Sequence, residues 1–332
     1  MKVSFTLILL GIVPILLLIG SLLLGTTTNL SPVELVHYIS QALHHTGDTT
    51  DPIETILWKV RLPRIILTFL VGAALAVSGG VLQAIFRNPI VDPFTLGISS
   101  GAAFGAALAM LFPFISVNVS AFVFGVFAVL LTYMVSYAGQ RTSIVSMVLS
   151  GIIVSGIFTA LLTLLQYLSD PYKLQAIVQW TMGNLHTASW AKVHTAFAPI
   201  LIGLLVILLL RWKLNLLALG DNEALAVGVN PKYLKLLLIG VATMITTSAV
   251  AAVGVISLFG LIVPHISRMI FGPNNTIGVW ANISIGGSFL LVIDDFSRAV
   301  MPFEIPVGVF TMLIGAPIFI YLMKKSLTQW NA

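Results

Sequence analysis

Long apolar runs, separated by short polar breaks, constrain this chain more than any other feature of its sequence. A helix that spans a bilayer takes about 20 apolar residues, because the hydrocarbon core is about 30 Å thick. Of the 332 residues, 58% are hydrophobic and 8% charged, against roughly 25% charged in a typical soluble domain. Too few polar groups are available to coat a soluble globule of this size. An ordinary soluble enzyme and a disordered chain are both excluded. The reading that remains is an all-α membrane protein: one transmembrane domain over residues 1–332, with about ten transmembrane helices.

The runs fall at about 3–24, 63–84, 95–112, 119–137, 143–167, 195–210, 236–253, a short one ending near 270, 280–293 and 306–323. Between the first two lies a polar segment, 26–60, read as an outer loop. A connection at 169–192 carries Trp180 and Trp190, as interfacial segments do. The most polar stretch of the second half is 214–235. The first run is longer than a secretory h-region and ends in Leu23-Leu24-Gly25-Thr26, which is no cleavage site, so it reads as a retained span.

Ten spans put both termini on one side, and the positive-inside rule makes that side cytoplasmic. The inner set is then Lys2, Arg87, Arg141, Arg211, Lys213, Lys232, Lys235, Arg268, Lys324 and Lys325, 10 of the 16 basic residues. Arg61, Arg64 and Arg298 fall outside, against the trend. The net charge of +5 is too scattered for a nucleic-acid surface. Cysteine is absent, which excludes disulfides and thiolate chemistry. No P-loop, nucleophile elbow or H-E-x-x-H pattern occurs, so no ATP is hydrolysed by a Walker-type site in this chain.

Small residues recur every four positions at Gly97, Gly101, Gly105 and Ala109, and at Gly72, Ala76 and Gly80, a spacing that lets helix backbones approach closely in lipid. The fifth run carries Gly151, Ser155, Thr159, Thr163 and Tyr167 at the same spacing, with Gln166 beside the last. That stripe fits either a packed face whose hydroxyls bond back to the preceding turn or the wall of a translocation path. His265 reads more readily as structural than as a metal ligand, and the His44-His45 pair is a weak metal signal. Asp221 to Gly228 reads as a short helix capped by Asp221 and stopped by Gly228, either seated in a groove on a partner or lying on the membrane surface.

Several segments together resemble the FecCD-type permeases of bacterial and archaeal ABC importers. Val60-Arg61-Leu62-Pro63-Arg64 is similar to that family's R-L-P-R segment. Residues 71–79, with Gln83, Asn88-Pro89, Asp92-Pro93 and Leu96 to Ala102, are similar to its G-A-x-L-A-x-S-G…Q…N-P signature. Residues 216–228 resemble its coupling loop, Phe259 to Arg268 its F-x-G-L-x-x-P-H-x-x-R, and Glu304 to Gly308 with Gly315 to Phe319 its E-x-P-x-G…G-x-P-x-F ending. The motifs occur in order over about 270 residues.

The resemblance implies a type II ABC importer permease fold in the cytoplasmic (inner) membrane. Its expected partners are a second permease subunit in a homodimer, two cytoplasmic ATPase subunits that hold the ATP and Mg²⁺, and an extracytoplasmic solute-binding protein. No cofactor is expected in this chain. Arg61, Arg64 and Arg298 are expected to dock acidic lobes of the binding protein, the other readings being lipid phosphate or pairing with Asp294, Asp295 or Glu304. Leu219, Gly220, Asp221, Glu223, Ala224 and Gly228 are expected at the ATPase contact. The path is expected at Ser155, Thr159, Thr163 and Gln166, and a cytoplasmic gate at Asn88, Ile90, Thr142 and Ser143. The implied cargo is a ferric siderophore, with haem, cobalamin or an oxyanion such as molybdate as alternatives. Outside the resemblance, a non-transporting scaffold or a secondary carrier would have no need of a coupling loop.

Overall fold

The computed structural model describes residues 2–24, 31–44, 52–112, 114–137, 144–299 and 304–330. Among these residues the fold is entirely helical. In chain order the helices are α1 (Lys2–Leu23), α2 (Pro32–His44), α3 (Pro52–Ile56), α4 (Leu62–Phe86), α5 (Ile98–Leu111), α6 (Val117–Ser136), α7 (Ile144–Leu168), α8 (Pro171–Thr181), α9 (Trp190–Leu219), α10 (Asp221–Ala226), α11 (Pro231–Val253), α12 (Phe259–Phe271), α13 (Asn275–Ala299) and α14 (Val307–Trp330).

Six stretches are long and apolar enough to cross a bilayer: Pro52–Phe86, Val117–Ser136, Val145–Leu168, Trp190–Leu219, Pro231–Val253 and Asn275–Arg298. Four shorter apolar helices, Ile8–Leu23, Ile98–Leu111, Phe259–Phe271 and Val307–Ile320, fall in the remaining apolar runs.

The centre is α4, in the most buried of the long spans at 83%, and its small residues let α12 and α13 close onto it. At Gly72 its backbone meets the carbonyl of Gly286 on α13, and at Gly79 that of Gly260 on α12, with no room for a Cβ at either place. Such approaches suit a medium in which tight packing, rather than the hydrophobic effect, joins helices. The small-residue stripe of α5 does the same against α6, where the Ser120 hydroxyl donates to the Gly105 carbonyl at 2.6 Å. Both stripes therefore pack as their spacing predicts.

The structure corrects several boundaries. The segment 26–60 is not simply a loop. It contains α2, whose start is a reciprocal cap: the Ser31 amide donates to Glu34 and the Glu34 amide to the Ser31 hydroxyl. Leu35 and Tyr38 of α2 pack with Leu57. From Pro52 the chain is helical without a break into α4, through one wide π turn at Leu57–Arg61. That turn sits where Pro63 lacks the amide hydrogen an α-helix would direct back at Lys59. The connection at 169–192 contains α8, capped by Asp170, whose carboxylate accepts from the amides of Tyr172 and Lys173. Helix α9 runs on to Leu219, so the predicted coupling loop 214–235 shrinks to α10 and its flanks. Helix α13 extends past 293 through Asp294, Asp295 and Arg298, because those charges are satisfied inside the fold.

Candidate functional site

Two ionic clusters stand at opposite ends of α4. At its start, Arg64 is 7% exposed and faces Asp294 of α13, which is wholly buried. The guanidinium grips both oxygens of Asp294, from Nε at 3.0 Å and Nη2 at 2.8 Å, and reaches Glu304 from Nη1 at 2.9 Å. A forked cation on a carboxylate fixes orientation as well as distance. Arg298 pairs with Asp295 and donates to the hydroxyl of Ser21 on α1 at 2.9 Å. Arg61 is also buried and donates to the Leu22 carbonyl at 3.0 Å.

The three arginines expected to dock a binding protein are thus turned inward. They tie α1, α4 and α13 together, and the pairing with Asp294, Asp295 and Glu304 is the alternative the geometry shows. Burial explains the outcome: a cation removed from water needs a carboxylate or carbonyl beside it.

At the other end, α4 stops at Arg87, whose backbone is left-handed at φ 49°. Past it, Asn88 is half-buried and its side chain accepts from the Ile90 amide at 3.0 Å, leaving Ile90 exposed. Thr142 and Ser143, the other half of the expected gate, lie outside the described residues, as does His45. Asp92 is 4% exposed, and burial pushes its carboxyl up to about 6, partly offset by hydrogen bonds from backbone amides including that of Thr95.

Beside this turn stands α10. Its cap position is Gly220, not Asp221 as the sequence predicted. Asp221 is the first helical residue, and its carboxylate is held by Lys235 of α11 at 2.6 and 2.8 Å, with Arg87 at 3.7 Å. Gly228 stops the helix at φ +78°, its amide bonding back to Leu225 and the Val229 amide to Ala224, the closure expected of a left-handed C-terminal glycine. Ala224 is buried against the chain, whereas Leu219, Leu225 and Val227 are exposed apolar side chains and Glu223 is exposed. A Cβ at Gly220 would meet only the flexible end of Glu223.

Helix α7 is the least covered of the long spans, 22% buried. Its stripe starts buried at Gly151, against the Thr95 carbonyl, and emerges through half-buried Ser155 to exposed Thr159 and Thr163, with Gln166 half-buried. The Thr163 hydroxyl donates to the Thr159 carbonyl at 2.9 Å. That hydroxyl bonds back along the helix, and the stripe beyond Ser155 is open instead of packed. His265 is half-buried on α12. Among the described residues no group of three histidines or acids could hold a metal ion.

The profile of the FecCD transport family matches residues 12–325, which takes in both ionic clusters, α7 and α10. The chain belongs to the FecCD transport family. Similar FecCD relatives include the molybdate import system permease protein of Haemophilus influenzae, 41% identical over 83% of each chain. The hemin transport system permease protein of Yersinia pestis is 37% identical over 85% of this chain and 86% of its own. A solved metal-chelate type ABC transporter in an inward-facing conformation superimposes with a TM-score of 0.85, at 37% identity, over 96% of this chain and 98% of its own. This FecCD chain is accordingly a multi-span ABC transporter permease of a family whose members are named for differing cargoes.

Three residues named from the sequence, Gln83, Arg87 and Lys235, organise the site through contacts the sequence does not reveal. Gln83 donates from α4 toward the carbonyls of Gly260 and Leu261 at the start of α12, at 3.3 and 3.4 Å. Lys235 and Arg87 hold Asp221. The signal for Lys235 was present in the polar stretch after α9, where Asp221 and Glu223 stand near Lys232 and Lys235.

Proposed function

We propose that the chain is the translocating subunit of a binding-protein-dependent importer, driven by a separate ATPase that docks on α10. The observation that carries this is the shape of α10 and its flanks: a short helix anchored by Ala224 and Asp221, with Leu219 before it, Leu225 in it and Val227 after it exposed beside the charged Asp221, Lys235 and Arg87. Exposed apolar side chains ringed by charge fit a protein partner. The absence of any Walker-type motif in the chain fits a motor on another polypeptide.

In this reading two copies enclose the path, with the open hydroxyl face of α7 (Ser155, Thr159, Thr163 and Gln166) lining it and the turn Asn88–Ile90 narrowing it on the ATPase side. Both termini lie in the cytoplasm. Hydroxyls wet such a wall without holding a solute tightly. The outer arginines act as ties between helices, and the binding protein meets the surface above them. The cargo is a metal chelate of the ferric siderophore type. A second reading, molybdate, is favoured by the 41% identity to a molybdate permease.

The test is reconstitution of the permease with its ATPase and binding protein in liposomes, following uptake of labelled ferric siderophore and labelled molybdate. ATP-dependent uptake of the siderophore alone supports the first reading, and of molybdate alone the second. No ATP-dependent uptake of either, with the assembled complex present, overturns both cargo assignments.

A further inference from the structure

The proposed ATPase-docking helix is fastened to the end of α4, the most buried of the described long spans. Asp221 opens α10 and is gripped by Lys235 at 2.6 Å. The same carboxylate oxygen lies 3.7 Å from Nη2 of Arg87, the residue that ends α4. Arg87 is one of two non-glycine residues with positive φ among those described, the other being Leu258. A left-handed backbone is costly for a side chain with a Cβ, so its persistence at the end of α4 fits a residue held where it is needed. The turn that follows, Asn88 to Ile90, is fixed to Arg87 by adjacency and to α4 by the Asn88 amide bonding back to the Gln83 carbonyl at 3.2 Å.

We infer that the Arg87–Asp221 ion pair is the mechanical link through which displacement of α10 moves the end of α4 and the turn Asn88–Ile90. The inference rests on α10 being where the ATPase binds. Lys235 keeps Asp221 on α11, and Arg87 supplies the second, looser arm. Both members are partly exposed, 41% and 46%, so the arm is strong enough to bias a movement and weak enough to lengthen or break during one. Arg87 and Asp221 are therefore positioning residues: neither needs to touch the cargo or the nucleotide.

The experiment uses the complete transporter in liposomes and reads cargo moved per ATP hydrolysed, with ATPase retention on the purified permease measured in parallel. Arg87→Ala is expected to lower cargo per ATP by about two- to fivefold, the scale of an exposed ion pair, while retaining the ATPase. Arg87→Gly removes the backbone cost along with the charge and should fall equally. Arg87→Lys should keep most of the parent ratio. Combining Arg87→Ala with Asp221→Asn should cost no more than Asp221→Asn alone. Raising salt should bring the parent toward the Arg87→Ala value and leave that variant unchanged. An unchanged ratio in Arg87→Ala, or losses that add as if independent, overturns the link. Leu225→Arg serves as the separate control: if that variant still binds the ATPase, the docking reading fails, whatever Arg87 does.

Discussion

The two ends of α4 use the same chemistry in different solvents. Where α4 begins, Arg64, Asp294 and Glu304 form a cluster whose central pair is removed from water. Where it ends, Arg87, Asp221 and Lys235 form one that stays partly wet. Two charges in low dielectric attract strongly but have lost their hydration, so neither tolerates the loss of its partner. Two charges at a wet surface gain little from each other and lose little on parting. The first arrangement suits a joint that must not open, and the second one that opens in use.

The sharpest way to break this contrast is Arg64→Ala. It leaves Asp294, wholly buried, without its cation. A loss of about 3–5 kcal/mol is expected, seen as a collapse of the thermal transition or of the yield of folded protein in detergent. Replacing Arg64 and Asp294 together by leucine should recover most of that loss, since the cost lies in the orphaned charge. A mild effect of Arg64→Ala, below about 1 kcal/mol, would place the cluster in the same class as the exposed one.

Asp92 sharpens the contrast from another side, as a buried carboxylate held by backbone amides and paired with no cation among the described residues. Burial raises its pKa from 3.8 to about 6, so the folded state prefers the protonated form. The stability this group contributes is fully present below about pH 4 and is lost as pH rises through about 6, by an amount on the order of 2–3 kcal/mol. Asp92→Asn keeps the acceptor for the Thr95 amide and should flatten that portion of the curve in a melting series across pH. An Asn variant with the parent's slope would show that Asp92 does not titrate there.

Much of this was legible in the sequence and some was not, for identifiable reasons. The apolar runs, the four-residue stripes of α4 and α5 and the stop at Gly228 are local signals, and the structure carries them over. The breaks were misread where polar residues are satisfied by distant partners. Asp294 looked like the end of a span because its cation lies 230 positions away. Helices α2 and α8 are only moderately apolar, so neither stands out as an apolar run. Asp221 was read as a cap because aspartate commonly caps helices, whereas Lys235 and Arg87 draw its carboxylate aside and leave Gly220 at the cap. For Arg61 and Arg64 the resemblance implied docking, and their partners inside the fold are invisible to local patterning because they lie 39 to 240 positions away.

The smallest expected effect is also the one that decides whether the ends of α4 differ in kind. Asp221→Asn removes the acceptor charge facing both Lys235 and Arg87. Because the pairs are partly exposed, water rehydrates the freed cations, and the loss in thermal stability should stay below about 1 kcal/mol. High salt should mask that difference, since exposed charges are screened over about 10 Å at moderate ionic strength, while the Arg64→Ala defect should persist unchanged in the same salt. Melting curves of both variants at low and high salt make the comparison directly. If Asp221→Asn proved as damaging as Arg64→Ala and equally insensitive to salt, the cluster at the end of α4 would be a second fixed joint, unable to lengthen or break as α10 is displaced.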